Sequence, residues 1–414
     1  MVYVIGKDGH PLMPTTRHSK VKHLLRSGKA KVVNRCPFTI QLMYDTKGYT
    51  QPVTLGVDAG SKTIGLSAST DKKELLAAEV ILRNDIVDLL STRREFRRAR
   101  RNRKTRYRKP RFNNRVKAKH KGWLATSIEQ KINTHLAAVR KVMEILPVTK
   151  IVIETASFDI QKIKDPDVEG IGYQHGDQLG FWNVREYVLF RDGHICQCCK
   201  GKSKDKSLNV HHIESRKTGG DAPSNLITLC RTCHVGYHKG TIKLPDAIKR
   251  GAKFKDAAFM GIMRWTFYNR LKEQYPEMVY MTYGYITKNT RIRNELPKTH
   301  MVDALCIADH PTAERINEHY AIKKVRCHNR QIHKATINKG GYRKRNQAPK
   351  YVFGYQLFDK VKYNNIECFI FGRRSSGSFD IRMLDGTKVS ANVTYKKLKP
   401  VIKRKSYLIE RRSA

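Results

Sequence analysis

Two short cysteine pairs constrain this chain more than any other feature: Cys196-x-x-Cys199 and Cys230-x-x-Cys233. A gap of two residues lets a tight turn aim both sulfurs at one point, and two such turns supply the four ligands of a tetrahedral zinc site. A closed site of that kind staples a module too small to fold on its own apolar core. The chain has nine cysteines, an odd number, which argues against a disulfide framework. Cys198 lies inside the first turn and is spare. Cys36, Cys306, Cys327 and Cys368 are scattered and read as small core residues or free thiols.

Histidines surround the second pair. Leu208 to Glu214 reads LNVHHIE, the end of a strand, where neighbouring side chains point to opposite faces. His211 and His212 therefore cannot share one environment. His234 and His238 lie one helical turn apart on a single face, as two imidazoles sharing an ion must. So His211, His234 and His238 can converge on a divalent cation while His212, on the other face, remains a base. An imidazole with a pKa of about 6.5 is placed to take a proton from water at neutral pH. The cation would polarise a phosphate and stabilise the leaving oxygen. Asn225 is suited to hydrogen-bond backbone and hold the loop that carries His212. These residues resemble the HNH endonucleases, a ββα-metal fold that cuts phosphodiester bonds. Many HNH modules have Asp where His211 stands. The His-His pair followed by H-x3-H is similar to the colicin-type variant, which leaves open whether His234, His238 or both ligate the metal.

Charge points the same way. Lys and Arg total 82 against 36 Asp and Glu, a formal net charge of +46, so a polyanion is the expected partner rather than a small metabolite. Residues 93–121 hold 16 of those cations and one acid, Glu95, with Phe96, Tyr107 and Phe112 interleaved. Arginine dominates the first part, as suits phosphate forks and base stacking, and no Pro or Gly interrupts it before Pro110. It reads as a nucleic-acid-binding arginine helix through Arg93, Arg94, Arg97, Arg98, Arg100, Arg101, Arg103, Arg106, Arg108, Arg111 and Arg115. No apolar run is long enough to span a bilayer and no signal-peptide apolar region follows Met1 to Ile5, so an intracellular, cytoplasmic location is expected.

The 414 residues suffice for two or three domains, and the pattern predicts an α/β multidomain protein. Residues 52–69 read as a hairpin, 127–146 and 300–310 as helices, 150–154 as a buried strand, and 263–275 as a further helix. The tail from Tyr351 alternates with SSGS and LDGT turns, a small β-barrel or sandwich pattern. Asp58 and Glu154 each end an apolar strand, and His300 and Asp303 lie three apart on a helix. Carboxylates so placed can bind two Mg²⁺ ions and clamp the attacking and leaving oxygens of a phosphodiester.

Longer motifs carry a wider resemblance: PLMPTTR, LGVDAGSKTIG, RYRKPRFNNR, GWL, IETASFD, GYQHGDQLGFWNVREYVLFRDGHICQCC, LPKTHMVDALCIA, HNRQIHKATINKGG and GRRSSGSF, in that order. The set resembles the IscB family, RNA-guided DNA endonucleases encoded by insertion sequences. The resemblance implies an RNase H-like RuvC domain split by the zinc-stapled HNH insertion, with Asp58, Glu154, His300 and Asp303 as its site. It divides the chain into a PLMP domain (1–50), RuvC parts (51–90, 123–165 and 263–345) and an arginine-rich bridge helix (91–122). Linkers (166–180 and 246–262) flank the HNH domain (181–245). A C-terminal domain (346–414) contacts the target-adjacent motif, with Arg373 and Arg374 able to reach base edges. The implied partners are a structured guide RNA and double-stranded target DNA, held by a monomeric ribonucleoprotein. Two rivals compete: a protein-only HNH homing or repair endonuclease, and a non-catalytic zinc-ribbon RNA-binding protein.

Overall fold

The computed structural model describes residues 1–101, 122–155, 181, 183–215, 221–248, 255–326 and 349–413. The chain is mixed α/β and forms two compact units, Met1–Ala156 with Gly261–Ala414, and Ser157–Met260. Among the described residues no helix is long and apolar enough to cross a membrane.

The first unit is organised by a seven-stranded sheet. Its order is Val279–Thr282, Val148–Glu154, Val53–Ala59, Thr63–Ser69, Glu74–Ile81, Glu318–Lys324, Tyr407–Ser413. Val53–Ala59 pairs parallel with Val148–Glu154 and antiparallel with Thr63–Ser69. Every residue of Val53–Ala59 is buried, the continuous burial of a strand covered on both faces. The Thr126–Met143 helix buries Ile132, Leu136, Val139 and Val142, spaced three or four apart along one side.

The short His300–Ile307 helix sits on the sheet by backbone-to-backbone approach. A Cβ added at Gly56 would stand 1.9 Å from the Ala304 carbonyl oxygen, and one at Gly65 1.9 Å from that of His300. Two glycines, on neighbouring strands, therefore set the height of this helix above the sheet.

Smaller sheets flank this one in sequence. Residues 2–42 form a four-stranded sheet around the His18–Arg26 helix, with Val2, Val4, Val21, Ile40 and Leu42 as core. Five antiparallel strands between Lys360 and Ile402 enclose Val361, Cys368, Ile370, Phe379 and Ile381. The tail differs from the sequence expectation in one respect. Its last strand, Tyr407–Ser413, leaves the small sheet and completes the large one by pairing with Glu318–Lys324. The stretch 246–262, expected as a linker, is helical from Lys255, because the Lys255–Gln274 helix begins well before residue 263. Met263, Phe267 and Leu271 hold its buried side.

In the second unit a two-stranded ribbon, Leu208–His212 with Leu226–Cys230, lies between the helices Val184–Arg191 and Arg231–His238. Its core is Ile227 and Leu229 together with Cys196, Cys230 and Cys233, so the thiols occupy the place that aliphatic side chains fill in larger domains.

Candidate metal centres and carboxylate site

The four knuckle sulfurs, from Cys196, Cys199, Cys230 and Cys233, lie within 4.8 Å of one another. Cys199 and Cys230 Sγ are 3.8 Å apart, close to the edge of a tetrahedron with zinc–sulfur bonds of about 2.3 Å. The donor set fits zinc. Ser203, which the sequence reading missed, places its hydroxyl 3.4 Å from Cys199 Sγ and 3.1 Å from Cys230 Sγ. That contact lowers the Cys199 thiol to about 6, whereas burial raises Cys196 and Cys233. Cys230 also caps the Arg231–His238 helix: its Sγ accepts from the Cys233 amide at 3.4 Å. The knuckle and the histidine helix are thus one continuous piece of structure.

On that helix His234 and His238 face His211 across the ribbon, and their ring nitrogens lie within 4.8 Å of one another. The ring centroids are 5.2 Å apart for His211–His234 and His211–His238 and 4.6 Å for His234–His238. His211 is buried and its Nε2 has no hydrogen-bond partner among the described residues. Burial, with the two neighbouring imidazoles, depresses its pKa to about 4, and burial also lowers His234. Neutral imidazoles with an unused buried lone pair are what a divalent cation requires.

His212 points away from this cluster. Its Nε2 lies 2.9 Å from Asp221 Oδ1, a partner the sequence reading did not find. Asn225 is fully buried and clamps the backbone two residues past His212: its Oδ1 accepts from the Glu214 amide and its Nδ2 donates to the Glu214 carbonyl, both at 2.9 Å. The Asn225 carbonyl accepts from the Ile213 amide at 2.8 Å. Arg191 fastens the other side of this loop, donating to the Pro223 and Leu226 carbonyls at 2.9 Å.

In the first unit Asp58, Glu154, His300 and Asp303 meet over the seven-stranded sheet. His300 Nδ1 is 2.6 Å from Asp58 Oδ2, and this hydrogen bond raises the His300 pKa. Two further cations, absent from the sequence reading, complete the cluster: Arg264 Nη1 lies 3.0 Å from Glu154 Oε1 and Arg291 Nε 3.1 Å from Asp303 Oδ1. Arg264 is itself buried and donates from Nε to the Ala59 carbonyl at 2.8 Å. Burial raises the Glu154 and Asp303 carboxyls above their ordinary range, and in both the charge of Asp58 pushes the same way. Carboxylates crowded enough to repel one another fit a bound cation. Among the described residues only the four cysteines and the three histidines bring three or more ligand atoms within 4.8 Å, whereas Glu154 and Asp303 are each engaged by an arginine.

The expected nucleic-acid residues fall into three groups. Arg93, Arg94, Arg97 and Arg98 are exposed on the Ile86–Arg101 helix, which also contains Arg100 and Arg101. Arg103, Arg106, Arg108, Arg111 and Arg115 lie outside the described residues. Arg374 is exposed at the end of the Ile366–Arg373 strand, but Arg373 turns inward. Its Nη1 donates to the Lys350 and Tyr355 carbonyls at 2.6 and 2.9 Å, and its Nε is buried. Arg373 thus fastens the 349–355 segment and has no fork to offer a base.

The chain matches the RRXRR protein family over residues 2–176 and the HNH endonuclease family over residues 196–240. Anaredoxin from Nostoc sp. is 39% identical over 49 residues, which cover 12% of this chain and 64% of that protein. Among solved structures, Streptococcus thermophilus Cas9 in complex with the GGAA PAM aligns with a TM-score of 0.32 at 13% identity, over 63% of this chain and 32% of that one. The same protein in complex with the AGAA PAM gives a TM-score of 0.31 at 12% identity, over 62% and 32%. The chain spans about a third of the length of the Cas9 chains it matches. The RRXRR match thus spans the first part of the chain, and the HNH endonuclease match falls on its cysteine–histidine module.

Proposed function

We propose that the chain is an RNA-guided DNA endonuclease of the IscB type. The HNH domain cuts the DNA strand paired to the guide, and a RuvC-like site at Asp58, Glu154, His300 and Asp303 cuts the displaced strand. The observation that carries this reading is the placement of His212 opposite a three-histidine cluster, inside the segment that matches the HNH family.

The chemistry follows from the atoms. Asp221 accepts the Nε2 proton of His212, which leaves the Nδ1 lone pair to take a proton from the attacking water. Asn225 holds the backbone after His212 so that the ring keeps its aim. His211, His234 and His238, and the carboxylates of Asp58, Glu154 and Asp303, would hold a divalent cation such as Mg²⁺, which would supply positive charge to the scissile phosphate and its leaving oxygen. The net charge of +46 suits a monomeric ribonucleoprotein in the prokaryotic cytoplasm, gripping a structured guide RNA and a DNA duplex by their backbones.

The test is strand-resolved cleavage of a labelled duplex by the protein with its copurifying RNA. His212→Ala should cut only the displaced strand and Asp58→Ala only the guide-paired strand. Cutting by RNA-free protein would instead support a protein-only endonuclease. Loss of both cuts in either variant, with DNA binding intact, would overturn the two-site assignment.

A further inference from the structure

The edge strand Val279–Thr282 runs beside Val148–Glu154, and Thr282 pairs with Glu154 itself. The chain then leaves the sheet as Tyr283-Gly284-Tyr285 and enters the Gly284–Arg293 helix. Gly284 passes so close to the candidate site that an added Cβ would lie 3.3 Å from Glu154 Oε1. The tyrosines on either side of it are 42% and 66% exposed. Their rings are nearly parallel, 10° between planes and 6.1 Å between centroids. Lys288, three residues after Tyr285 and exposed, lies on the same side of the helix.

We propose that Tyr283 and Tyr285 form a stacking surface for an unpaired base of the nucleic-acid strand cut at Asp58, Glu154 and Asp303. Exposed parallel rings beside carboxylates offer no hydrogen-bond code, but any base has a flat face to lay on them. A base inside a duplex is already stacked on both sides, so this surface selects a strand that is single at the scissile position. Lys288 supplies the charge that suits a phosphate. Tyr283 and Tyr285 are positioning residues: they hold the nucleotide next to the cut, while the carboxylates and His300 face the reacting phosphate. The inference rests on the reading of that cluster as the displaced-strand site, and deepens it by stating how the strand is held.

Two measurements on the full chain with its copurifying RNA test it. The first is strand-resolved cleavage by Tyr285→Ala, Tyr283→Ala and the corresponding Phe variants. Each Ala variant should slow displaced-strand cutting by roughly 5- to 150-fold, the equivalent of one lost base–aromatic stack. The Phe variants should retain wild-type rates, and guide-paired cutting should be unchanged throughout. An abasic site at the flanking nucleotide should slow the wild type and leave the Ala variants no slower than before. The second is fluorescence of a single-stranded oligonucleotide carrying 2-aminopurine, read in Ca²⁺ to suppress cutting. Quenching should be stronger with wild type and Phe variants than with Ala variants. If wild type cuts no displaced strand but this difference persists, the stacking surface stands and the displaced-strand reading falls. Equal quenching by Ala and wild type, or equal loss in Phe and Ala, overturns the stacking surface. A parallel fall of both strands' cutting also overturns it, as the mark of tyrosines that pack against protein.

Discussion

Gly65→Ala tests whether backbone contact with the sheet positions His300 and Asp303. The added methyl would lie 1.9 Å from the His300 carbonyl oxygen and 2.4 Å from its carbonyl carbon, where ordinary contact begins near 3.4 Å. The His300–Ile307 helix must therefore rise by about 1.5 Å, carrying His300 away from its 2.6 Å contact with Asp58. Overpacking of this kind costs about 1–3 kcal/mol, and a misplacement of ~1 Å in a catalytic group costs on the order of 100-fold in rate. Gly261→Ala is the control, because a Cβ there meets nothing among the described residues within 4 Å and lies within a helix. The assay pairs urea unfolding with strand-resolved cleavage, in which the HNH cut serves as internal reference. Gly65→Ala should lower the unfolding midpoint and slow displaced-strand cutting about 100-fold, while the control loses neither. A Gly65→Ala protein of wild-type stability and wild-type cutting would refute the argument that this backbone approach sets the site.

Cys230→Ser should release zinc and unfold the ribbon locally, since Cys230 is at once a sulfur ligand and the cap of the histidine helix; metal analysis and limited proteolysis check this, and full zinc content would contradict it. Asp221→Asn should slow guide-paired cutting by on the order of tenfold or more with displaced-strand cutting unchanged, because His212 loses the carboxylate that fixes its tautomer. His135 gives a pH signature. It is fully buried, donates from Nδ1 to the Lys131 carbonyl at 2.8 Å, and burial depresses its pKa to about 4. The unfolded chain takes up this proton as pH falls below about 6.5 and the folded chain does not, so stability is full above that pH and declines towards pH 4. The loss amounts to about 3 kcal/mol from this group, and His135→Leu should flatten the difference between urea midpoints at pH 7 and pH 4.5. Equal slopes in the two proteins would show that His135 is not the group responsible.

The four-cysteine and three-histidine clusters were legible because their geometry is local. A C-x-x-C turn and an H-x3-H helical turn fix relative side-chain positions within a few residues, whatever the rest of the chain does. The same holds for the hairpin of 53–69 and the opposite faces of His211 and His212. Asp58, Glu154, His300 and Asp303 were readable as strand-end and helix-face residues, and the family motifs suggested their grouping. Their partners were not readable. Arg264 stands 110 positions from Glu154, and Arg291 lies on a helix separate from that of Asp303, so those pairs exist only once the sheet order is set. Asp221 reaches His212 across a loop whose sequence carries no periodic signal. Arg373 looked like a free fork beside Arg374; its use as a backbone clamp depends on where residues 349–355 come to rest. The strand 407–413 has the alternation of its neighbours in the tail, yet pairs with Glu318–Lys324, since alternation encodes a strand but not its partner. Local spacing thus decided which side chains could act together over a turn or a strand. The tertiary structure alone decided which distant cations and glycines set the carboxylates in place, because charge pairing and close packing depend on distance in space rather than along the chain.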